Sequence, residues 1–507
     1  MKLHVKNLPI GTGDIVVAVL CEQDATRLDL RPADRVLLKY GNKKTVATID
    51  IIGRVNGATK KDHKKQMICC GEIGLFLEAQ YALGIKTGDI VEILSEKKPV
   101  SISYIKKKLE GKRLGKEELY TIINDISDGN LSEAEITYFV AACYLHELNM
   151  TEITHLTRAM VETGDQLKLP QRIIVDKHCI GGVAANRTSM MVVPILAAAG
   201  LTVPKTSSRS ITSAAGTADT VEVLCPVIFD LAQMKRIVQK VGACLVWGGA
   251  MSLAPSDDKI IQVEHPVSLD PTGQLLASIM AKKKSVGATH VLIDIPVGRG
   301  AKITDMKHAL SLQEKFEELA KRLGMKVAVI ITDGSQPVGN GIGPALEARD
   351  VLWTLKNSPR GSLLLKEKSL TMAGILIELA GKAPKGKGYE MVTAILESGK
   401  AYEKFIEIIV AQGGKEIRPD QIRMAKKSYM VTAWKSGKVI HIDNDIMNKI
   451  ARIAGAPHDQ QAGVYLYCHK GTIVRKGDKL FSVHSDSVER LQYAIEIAKK
   501  DCGFEIG

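Results

Sequence analysis

Between residue 171 and about residue 350, short apolar runs alternate with glycine- or hydroxyl-rich loops and with segments of helical periodicity. This order is typical of an α/β domain with a mostly parallel sheet. In such a sheet, ligands bind at the carboxyl ends of the strands, so the loops after the strands are the first places to look for chemistry. The predicted strands are Ile173–Val175, Leu201–Pro204, Ala243–Val246, His290–Ile295 and Val327–Ile331.

Residues 1–96, which precede this region, carry short alternating runs that are typical of strands. Two segments in this stretch, Leu30–Leu38 and Ile85–Ile93, resemble each other, because each places an aspartate in a tight turn before a strand. The pair indicates a small pseudo-symmetric barrel, although chance similarity between two turn-and-strand sequences explains it equally well. Residues 97–170 show helical periodicity, and a capping box at Ser132 and Glu135 opens one of these helices.

The whole chain is expected to be a multidomain α/β protein, and its 507 residues fit three or four domains. Strand-like runs return beyond Trp434, and the chain closes with a helical segment. The predicted domains are a β-barrel-like N-terminal domain (1–96), an all-helical lobe that supplies a dimer contact (97–170), an α/β lobe with a mostly parallel sheet and added helices (171–430), and an α+β C-terminal domain (431–507).

Composition excludes several classes of protein. Aromatic residues make up only 4% of the chain, which argues against a stacking platform for single-stranded nucleic acid. The net charge of +13 fits either polyanions or phosphorylated small molecules, but no helix-turn-helix or zinc signature supports a nucleic-acid partner. Nine cysteines without CxxC spacing disfavour a disulfide framework and a zinc site, and they fit a reducing cytosol. No signal peptide and no membrane-spanning run is found, so we expect a cytoplasmic protein without a membrane partner.

The first loop with chemical potential is Asp176–Val183 (DKHCIGGV), which follows the first predicted strand. Backbone N–H groups of its glycine turn and of the helix that follows form an anion site. Lys177 adds a positive charge, Thr188 adds a hydroxyl, and His178 is suited to transfer a proton or to hydrogen-bond the anion. An ordinary strand-to-helix turn with a surface lysine and histidine explains the same residues.

The second loop, Lys205–Asp219, holds seven serine or threonine hydroxyls between residues 206 and 217, together with Arg209. Hydroxyls, an arginine and the N-terminus of a helix near Thr217 favour phosphate, whereas a flexible serine-rich linker seldom lies between two apolar elements of one sheet. Neighbouring strands would aim both loops at one crevice, which suggests two anions or one tightly held anion. Neither GxxxxGK[ST] nor GxGxxG occurs, so ATP and dinucleotides are disfavoured.

Four ordered motifs on this chain resemble the thymidine and pyrimidine-nucleoside phosphorylase family. They are Lys177–Gly182, Ser207–Glu222, Ser278–Lys283 and Asp333–Gly339, and the similarity covers roughly residues 100–507. The N-terminal extension and the Ser-Arg-Ser-Ile-Thr-Ser sequence of the second loop are similar to the archaeal AMP phosphorylases within that family.

The resemblance implies a glycosyltransferase (a pentosyltransferase) that carries out phosphorolysis: inorganic phosphate attacks C1′ of the ribose and the base departs. It assigns the attacking phosphate to Lys177, Thr188, Ser207 and Thr217, and it puts Lys282 on the base side. Asp270 is the expected proton donor, with His178 as its rival. The residues that it assigns to the nucleotide are Gly182, Ser208, Arg209, Ser210, Ile211, Thr212, Ser213, Thr217, Ser278 and Lys302.

The chain departs from the nucleoside-specific pattern in ways that favour a nucleotide. Leu269-Asp270 stands where the family has a pyrimidine-contacting arginine, and the second loop carries extra donors that suit a 5′-phosphate. The expected reaction is therefore AMP + phosphate = adenine + ribose 1,5-bisphosphate, in nucleotide degradation or salvage, with CMP and UMP as further candidates. The alternatives are a pyrimidine-nucleoside phosphorylase and a phosphoribosyltransferase, which would need pyrophosphate. We expect no metal and no cofactor. We expect a homodimer or a larger homo-oligomer.

Two of these assignments have ordinary structural alternatives. Asp270 precedes Pro271, and an aspartate in that position commonly caps a helix. A carboxylic acid that donates a proton near neutral pH must keep that proton, so we expect burial to raise the pKa of Asp270. The alternative for Lys302 is an ordinary loop lysine that faces solvent.

Overall fold

A computed structural model describes residues 1–13, 15–52, 67–95, 98–210 and 213–507. The chain divides into two compact units, one of Met1–Lys106 with Asp125–Tyr138 and the other of Lys107–Asn124 with Phe139–Gly507. Each unit has an aliphatic core of its own. Among the described residues, no helix has both the length and the apolar character that crossing a membrane requires.

The first unit contains a closed barrel. Its strands and helices are β1 (Lys2–Asn7), β2 (Val17–Cys21), α1 (Glu22–Arg27), β3 (Arg35–Tyr40), β4 (Lys43–Ile52), β5 (Glu72–Leu75), α2 (Leu77–Leu83) and β6 (Ile90–Ser95). The strands follow one another around the barrel in the order β1-β5-β2-β4-β3-β6. In β1, Leu3 and Val5 are buried between more exposed neighbours, since alternate side chains of a strand point to opposite faces. The predicted barrel is confirmed.

The two similar segments of the first unit share their turn chemistry. The carboxylate of Asp34 accepts the Arg31 N–H at 2.6 Å, and that of Asp89 accepts the Lys86 N–H at 2.8 Å. The strands that follow, β3 and β6, pair side by side in antiparallel orientation. Equivalent turns leading into adjacent strands favour a true internal repeat over chance similarity.

The barrel also holds a cluster of two thiols and a carboxylate. The sulfur atoms of Cys21 and Cys70 are 3.3 Å apart, and Cys21 Sγ lies 3.4 Å from the Asp24 carboxylate, which is buried. The two cysteines are 49 positions apart. A search for short cysteine spacings therefore does not find this cluster.

Helices follow the barrel in the chain: α3 (Ser101–Leu109), α4 (Lys116–Ser127), α5 (Glu133–Leu145) and α6 (Met150–Glu162). The predicted capping box opens α5, because the Glu135 N–H donates to Ser132 Oγ at 3.3 Å and the Ser132 N–H donates to the Glu135 carboxylate at 2.8 Å. Asn149 and Glu152 form the same reciprocal pair at the start of α6. The predicted helical lobe is confirmed.

A parallel sheet forms the centre of the second unit. Its strands are β7 (Val175–Cys179), β8 (Val203–Ser207), β9 (Ala243–Trp247), β10 (His290–Val297) and β11 (Lys326–Asp333). β10 pairs in parallel with β7 and β11, β8 pairs in parallel with β9, and a parallel bridge between Ile174 and Thr202 links β7 to β8. In the resulting order, β9-β8-β7-β10-β11, the chain adds β8 and β9 on one side of β7 and then crosses to the other side to add β10 and β11. The carboxyl ends of the strands form a crevice at such a reversal of the strand order, and ligands of open α/β sheets bind there.

Helices cover the sheet, and one of them is wholly internal. The helices are α7 (Thr188–Ala198), α8 (Thr217–Glu222), α9 (Leu231–Val241), α10 (Pro255–Val267), α11 (Thr272–Ser285), α12 (Met306–Leu323), α13 (Pro344–Leu355), α14 (Leu363–Leu379), α15 (Gly388–Glu397) and α16 (Lys400–Ala411). Every residue of α7 from Thr188 to Ala197 is buried, since α14, α15 and α16 pack around it. The almost entirely apolar sequence of this helix fits its burial.

The first strand of the sheet is longer than predicted. The sequence places its end at Val175, whereas β7 continues to Cys179 and pairs with β10 as far as Asp294. Two charged residues, Asp176 and Lys177, therefore lie within the sheet and are buried. The prediction was wrong because it ended the strand at the first charge, whereas these charges find partners inside the protein.

The C-terminal part of the second unit contains two small antiparallel sheets. Its elements are β12 (Gly341–Ile342), β13 (Lys427–Thr432), β14 (Gly437–Ile442), α17 (Asn444–Ala454), β15 (Gly463–Leu466), β16 (Ile473–Val474), β17 (Lys479–Ser485), α18 (Val488–Lys500) and β18 (Phe504–Ile506). The sheets run in the orders β12-β15-β17-β13 and β16-β14-β18. The strand β12 comes from the loop region after β11, so the C-terminal sheet is tied directly to the end of the parallel sheet.

Candidate active site

Lys177 places a buried positive charge at the crevice. Its side chain is 2% exposed, and its Nζ donates to Thr188 Oγ1, the first side chain of α7, at 2.5 Å. In the described part of the chain, no carboxylate forms an ion pair with Lys177. Burial lowers the pKa of this lysine, because the desolvated ammonium loses the stabilisation of water. A buried ammonium group without a carboxylate partner favours the binding of an anion.

Arg187 joins the two loops. Its guanidinium forms an ion pair with the buried carboxylate of Glu347, and it donates to Thr217 Oγ1 at 3.0 Å and to the Ala215 carbonyl at 2.8 Å. Arg187 is the N-cap of α7 and Thr217 is the first residue of α8, so this one side chain holds two helix N-termini together. The loops that the sequence placed after neighbouring strands do meet.

Helix α17 holds both loops from the other side. Asn444 Oδ1 accepts the Ala184 N–H at 3.0 Å, and Asn448 Oδ1 accepts the Ala214 N–H at 3.0 Å. Asn444 Nδ2 also donates to the Gly334 carbonyl at 2.9 Å, in the loop after β11. Because the two asparagines are one turn apart on one helix, the position of each loop is tied to the other.

Two further buried lysines share one aspartate beneath the crevice. Lys283 Nζ lies 2.6 Å and Lys205 Nζ lies 3.7 Å from the carboxylate of Asp176, and all three side chains are nearly inaccessible. Burial lowers the pKa of Lys205 to about 7, with Asp176 opposing that shift. The region around β7 therefore carries more buried positive than negative charge.

His178 is half-buried among these cations. Burial, and then the ammonium groups of Lys283, Lys205 and Lys177, hold its pKa well below the usual value for histidine. The ring is therefore neutral near pH 7, and it can hydrogen-bond a ligand but cannot act as a cationic acid. This charge state weakens His178 as the rival proton donor.

In the second loop, Arg209 is bound within the protein. Its guanidinium lies 2.5 and 2.7 Å from the two carboxylate oxygens of Glu222 and 3.0 Å from Asp219, and it stacks over the ring of Trp247 at 5.0 Å. Its charge is therefore balanced by carboxylates, and its contact with a phosphate stays a prediction. Two predicted residues of this loop, Ile211 and Thr212, lie outside the described residues.

The hydroxyls of the second loop hold the loop closed. Ser207 Oγ, at the end of β8, donates to the Val246 carbonyl at 3.2 Å, and Ser213 Oγ donates to the Ala215 carbonyl at 2.8 Å. Ser210 Oγ donates to the Ser213 carbonyl, while Ser208 is exposed. These side chains surround the N-terminus of α8, which favours a negative charge.

Ser278 and Lys282, which the sequence analysis expected on the base side, line one face of α11. Ser278 Oγ donates to the Asp257 carboxylate at 2.9 Å, and Lys282 Nζ lies 2.7 Å from the same carboxylate. The two residues are four positions apart and so project from the same side of the helix. Although burial opposes it, Asp257 and Asp258 raise the pKa of Lys282.

Lys302 and Asp270 form an ion pair beside the glycine turn. Gly182 has φ +84°, and a Cβ on it would lie 2.2 Å from the Lys302 backbone nitrogen, so only glycine allows the two loops to approach this closely. The Asp270 side chain is 38% exposed, which is not the burial that we expected for a proton donor. Asp270 does not cap α11 either, because Pro271 is the N-cap residue.

Several residues that organise this site were not predicted from the sequence. They are Asp176, Arg187, Lys205, Asp257, Lys283, Glu347, Asn444 and Asn448. Asp176 carries a weak signal, as a charge directly after an apolar run, whereas Arg187, Asp257 and Lys283 have polar neighbours and carry none. The site is rich in ammonium groups, hydroxyls and helix N-termini, a donor set that suits oxyanions better than a metal ion.

Three family models match successive parts of the chain. Residues 102–164 match a glycosyl transferase family helical bundle domain, residues 171–402 match the α/β domain of that family, and residues 438–505 match a pyrimidine nucleoside phosphorylase C-terminal domain. The crystal structure of anthranilate phosphoribosyltransferase from Thermus thermophilus has a TM-score of 0.51 at 20% identity, covering 61% of this chain and 99% of that enzyme. This likeness shows the fold.

Relatives match over nearly the whole length. A protein of Thermococcus kodakarensis named AMP phosphorylase is 47% identical over 504 residues, which is 99% of this chain and 97% of the relative. An AMP phosphorylase of Methanocaldococcus jannaschii is 44% identical over 98% of this chain and 96% of its own. A protein of Legionella pneumophila with a provisional thymidine phosphorylase name is 43% identical over 92% of this chain and 87% of its own.

Proposed function

Because the chain belongs to the AMP phosphorylase group of the thymidine and pyrimidine-nucleoside phosphorylase family, we infer that it catalyses the phosphorolysis of AMP to adenine and ribose 1,5-bisphosphate. The observation that carries this inference is the buried ammonium of Lys177, which is joined to Thr188 and has no carboxylate partner among the described residues. A desolvated cation at the sheet reversal is a site for the attacking phosphate.

The attacking phosphate binds between the first residues of α7 and α8. Lys177 supplies the charge, while Thr188, Thr217 and the backbone N–H groups of the two helix starts supply hydrogen-bond donors. Ser207, at the end of β8, borders the same space. The neutral ring of His178 adds a hydrogen bond without adding charge. Holding phosphate and nucleotide side by side removes much of the entropic cost of bringing them together.

The 5′-phosphate of the nucleotide binds at the second loop. The exposed hydroxyl of Ser208 and the N-terminus of α8 support this assignment, and Ile211 and Thr212 belong to the same segment. Ser210 and Ser213 turn to the phosphate only by giving up the carbonyls to which they donate. Arg209 contributes by holding the loop on Glu222 and Asp219, and it turns to the phosphate only by giving up those partners. Donors of this kind give a reason for a nucleotide to bind better than a nucleoside.

The purine lies toward α11 and the Asp270–Lys302 pair. Ser278 and Lys282 present a hydroxyl and an ammonium that are both oriented by Asp257. Asp270 passes a proton to the departing purine, which lowers the barrier to breaking the N-glycosidic bond. Gly182 allows Lys302 to stand close to the phosphate loop.

The test compares AMP with adenosine, uridine and thymidine, each with inorganic phosphate, and follows the released base by chromatography. We expect adenine and ribose 1,5-bisphosphate from AMP, with much weaker cleavage of the nucleosides. Turnover should persist in a chelator and should require phosphate rather than pyrophosphate, which separates the reaction from that of a phosphoribosyltransferase. Efficient cleavage of thymidine or adenosine without cleavage of AMP would refute the nucleotide assignment.

Three finer proposals accompany this reaction. CMP and UMP are further substrates, because Leu269-Asp270 replaces the arginine expected of a pyrimidine-specific nucleoside enzyme and the second loop reads the phosphate rather than the base. The helical lobe supplies a contact for a homodimer, which sedimentation would detect. The abundance of unpaired thiols supports a cytoplasmic location.

A further inference from the structure

Glu264 is a half-buried carboxyl group that the proposed reaction has so far left without a role. It lies two turns after Asp257 on α10, so the two side chains share one face of that helix. One of its oxygens, Oε1, is inaccessible and has no hydrogen-bond partner. The turn after α10 folds back, with the Leu269 N–H donating to the Glu264 carbonyl at 3.3 Å, and Asp270 follows at once. An orphaned buried oxygen next to the base side is unusual and calls for a ligand or a proton.

The surroundings of Glu264 favour a neutral carboxylic acid. Burial, and then the negative charges of Asp270 and Asp257, raise its pKa to about 8, although Lys302 and Lys282 oppose the shift. The titratable groups that face it from the elements around it are Asp257 on α10, Asp270 in the turn after α10, Lys282 on α11, Lys302 in the loop after β10, and Cys143 on α5 with the buried Lys108–Glu152 pair behind it. At neutral pH this group holds a proton that it can release.

We propose that Glu264 supplies the proton that Asp270 delivers to the departing purine. The proposal rests on the phosphorolysis of AMP described above. Asp270 forms an ion pair with Lys302 and is part-exposed, so in this proposal it relays a proton and does not store one. His178 is neutral and surrounded by lysines. Asp257 and Asp258 on α10 are both bound to Lys282, whereas Oε1 of Glu264 has no hydrogen-bond partner, so Glu264 is the acid that we assign to this step.

The proton transfers balance over one turnover. A phosphate oxygen forms the new bond to C1′, the C1′–N9 bond breaks, and its electron pair leaves with the purine. The proton moves from Glu264 to the Asp270 carboxylate and from there to the purine, which departs neutral. Phosphate loses its own proton on becoming an ester, and that proton restores Glu264, so none is consumed overall.

The experiment measures kcat and KM for AMP from about pH 5.5 to 10 in the wild-type chain, in Glu264→Gln and in His265→Gln. We expect wild-type kcat to fall as the pH rises through about 8. Glu264→Gln should lose about 10²–10⁴-fold in kcat, the usual contribution of a general acid, with KM for AMP changed little, and it should lose that alkaline limb. His265 is the exposed neighbour of Glu264 on α10, so His265→Gln should keep both the rate and the limb.

A second substrate separates proton supply from a structural role. An N7-methylated purine nucleotide already carries a positive charge on the leaving group and needs no proton. We expect Glu264→Gln, and Asp270→Asn in parallel, to cleave it at nearly the wild-type rate. Equal losses on the methylated nucleotide and on AMP would overturn the proposal and indicate a structural role.

The remaining outcomes are also decisive. If Glu264→Gln cleaves AMP at the wild-type rate, or if its alkaline limb persists, the proton comes from elsewhere and the limb belongs to a group such as Lys205, whose pKa is about 7. If the variant changes only the preference among AMP, CMP and UMP, Glu264 recognises the base instead. Failure of the wild-type chain to cleave AMP would refute the proposed function itself and not this step alone.

Discussion

Replacing Lys177 by methionine should weaken phosphate binding while leaving the fold intact. The ammonium is buried and bonded to Thr188, and it has no carboxylate partner in the described part of the chain. A hydrogen bond to a charged group contributes about 1.5–3 kcal/mol. Since about 1.4 kcal/mol is a factor of ten, KM for phosphate should rise about 10- to 150-fold.

The same substitution should not lower stability. The lowered pKa of Lys177 shows that the folded protein disfavours its charge, so a methionine of similar length relieves that cost. We expect the thermal midpoint to stay the same or to rise. Initial rates of adenine release at varied phosphate concentration, together with thermal unfolding, measure both effects.

Lys283 provides a matched control. It is as deeply buried as Lys177, but its ammonium lies 2.6 Å from the carboxylate of Asp176. Lys283→Met removes one partner of a buried ion pair, which costs up to about 3–5 kcal/mol, softened here by the nearby Lys205. This variant should lose stability and keep its KM for phosphate. If Lys177→Met unfolds more readily while its KM for phosphate is unchanged, Lys177 is a structural residue and the assignment of the phosphate site is wrong.

Three further substitutions test separate parts of the site. Gly182→Ala should lower kcat/KM for AMP at least about tenfold, because its Cβ would strike the Lys302 backbone, whereas Gly181→Ala meets nothing within 4 Å and should report only the backbone strain of about 1–3 kcal/mol. Glu264→Gln should be more stable than wild type at pH 9 by up to about 3–5 kcal/mol. Folding raises the pKa of Glu264 from 4.5 to about 8, so the free energy of unfolding of the wild type falls as the pH rises from 4.5 to about 8, whereas a glutamine does not titrate. Equal denaturant midpoints at pH 9 would contradict the raised pKa. Arg209→Ala should raise KM for AMP more than KM for adenosine, and an equal rise for both substrates would separate this loop from the 5′-phosphate.

The architecture was predictable because it depends on local pattern. Apolar runs after turn residues located the strands of the parallel sheet, and the reciprocal pair at Ser132 and Glu135 located a helix start. The error at β7 had a physical cause. A charged residue such as Asp176 predicts the end of a strand. Here it lies inside β7, because Lys283, 107 positions away, pairs with it and allows its burial.

The loops of the site were predictable as segments but not as contacts. Glycines and hydroxyls after strands mark an anion site whatever their neighbours are. The partners of Arg209, in contrast, depend on where Glu222 falls once α8 has formed, and the sequence gives no measure of that. The likeness of the chain to a known family assigned Lys302 and Asp270 to one site, but the ion pair between them is visible only in three dimensions.

The C-terminal segment has a more direct part in the site than its distance along the chain suggests. Asn444 and Asn448 reach back 260 and 234 positions to the backbone of the first and second loops. Backbone N–H groups that are buried in this way need an acceptor, and α17 supplies both acceptors from one face. A displacement of that helix would therefore move the two loops together and keep the distance between them. In the proposed reaction, the approach of phosphate to C1′ depends on the distance between the two loops, and α17 sets that distance.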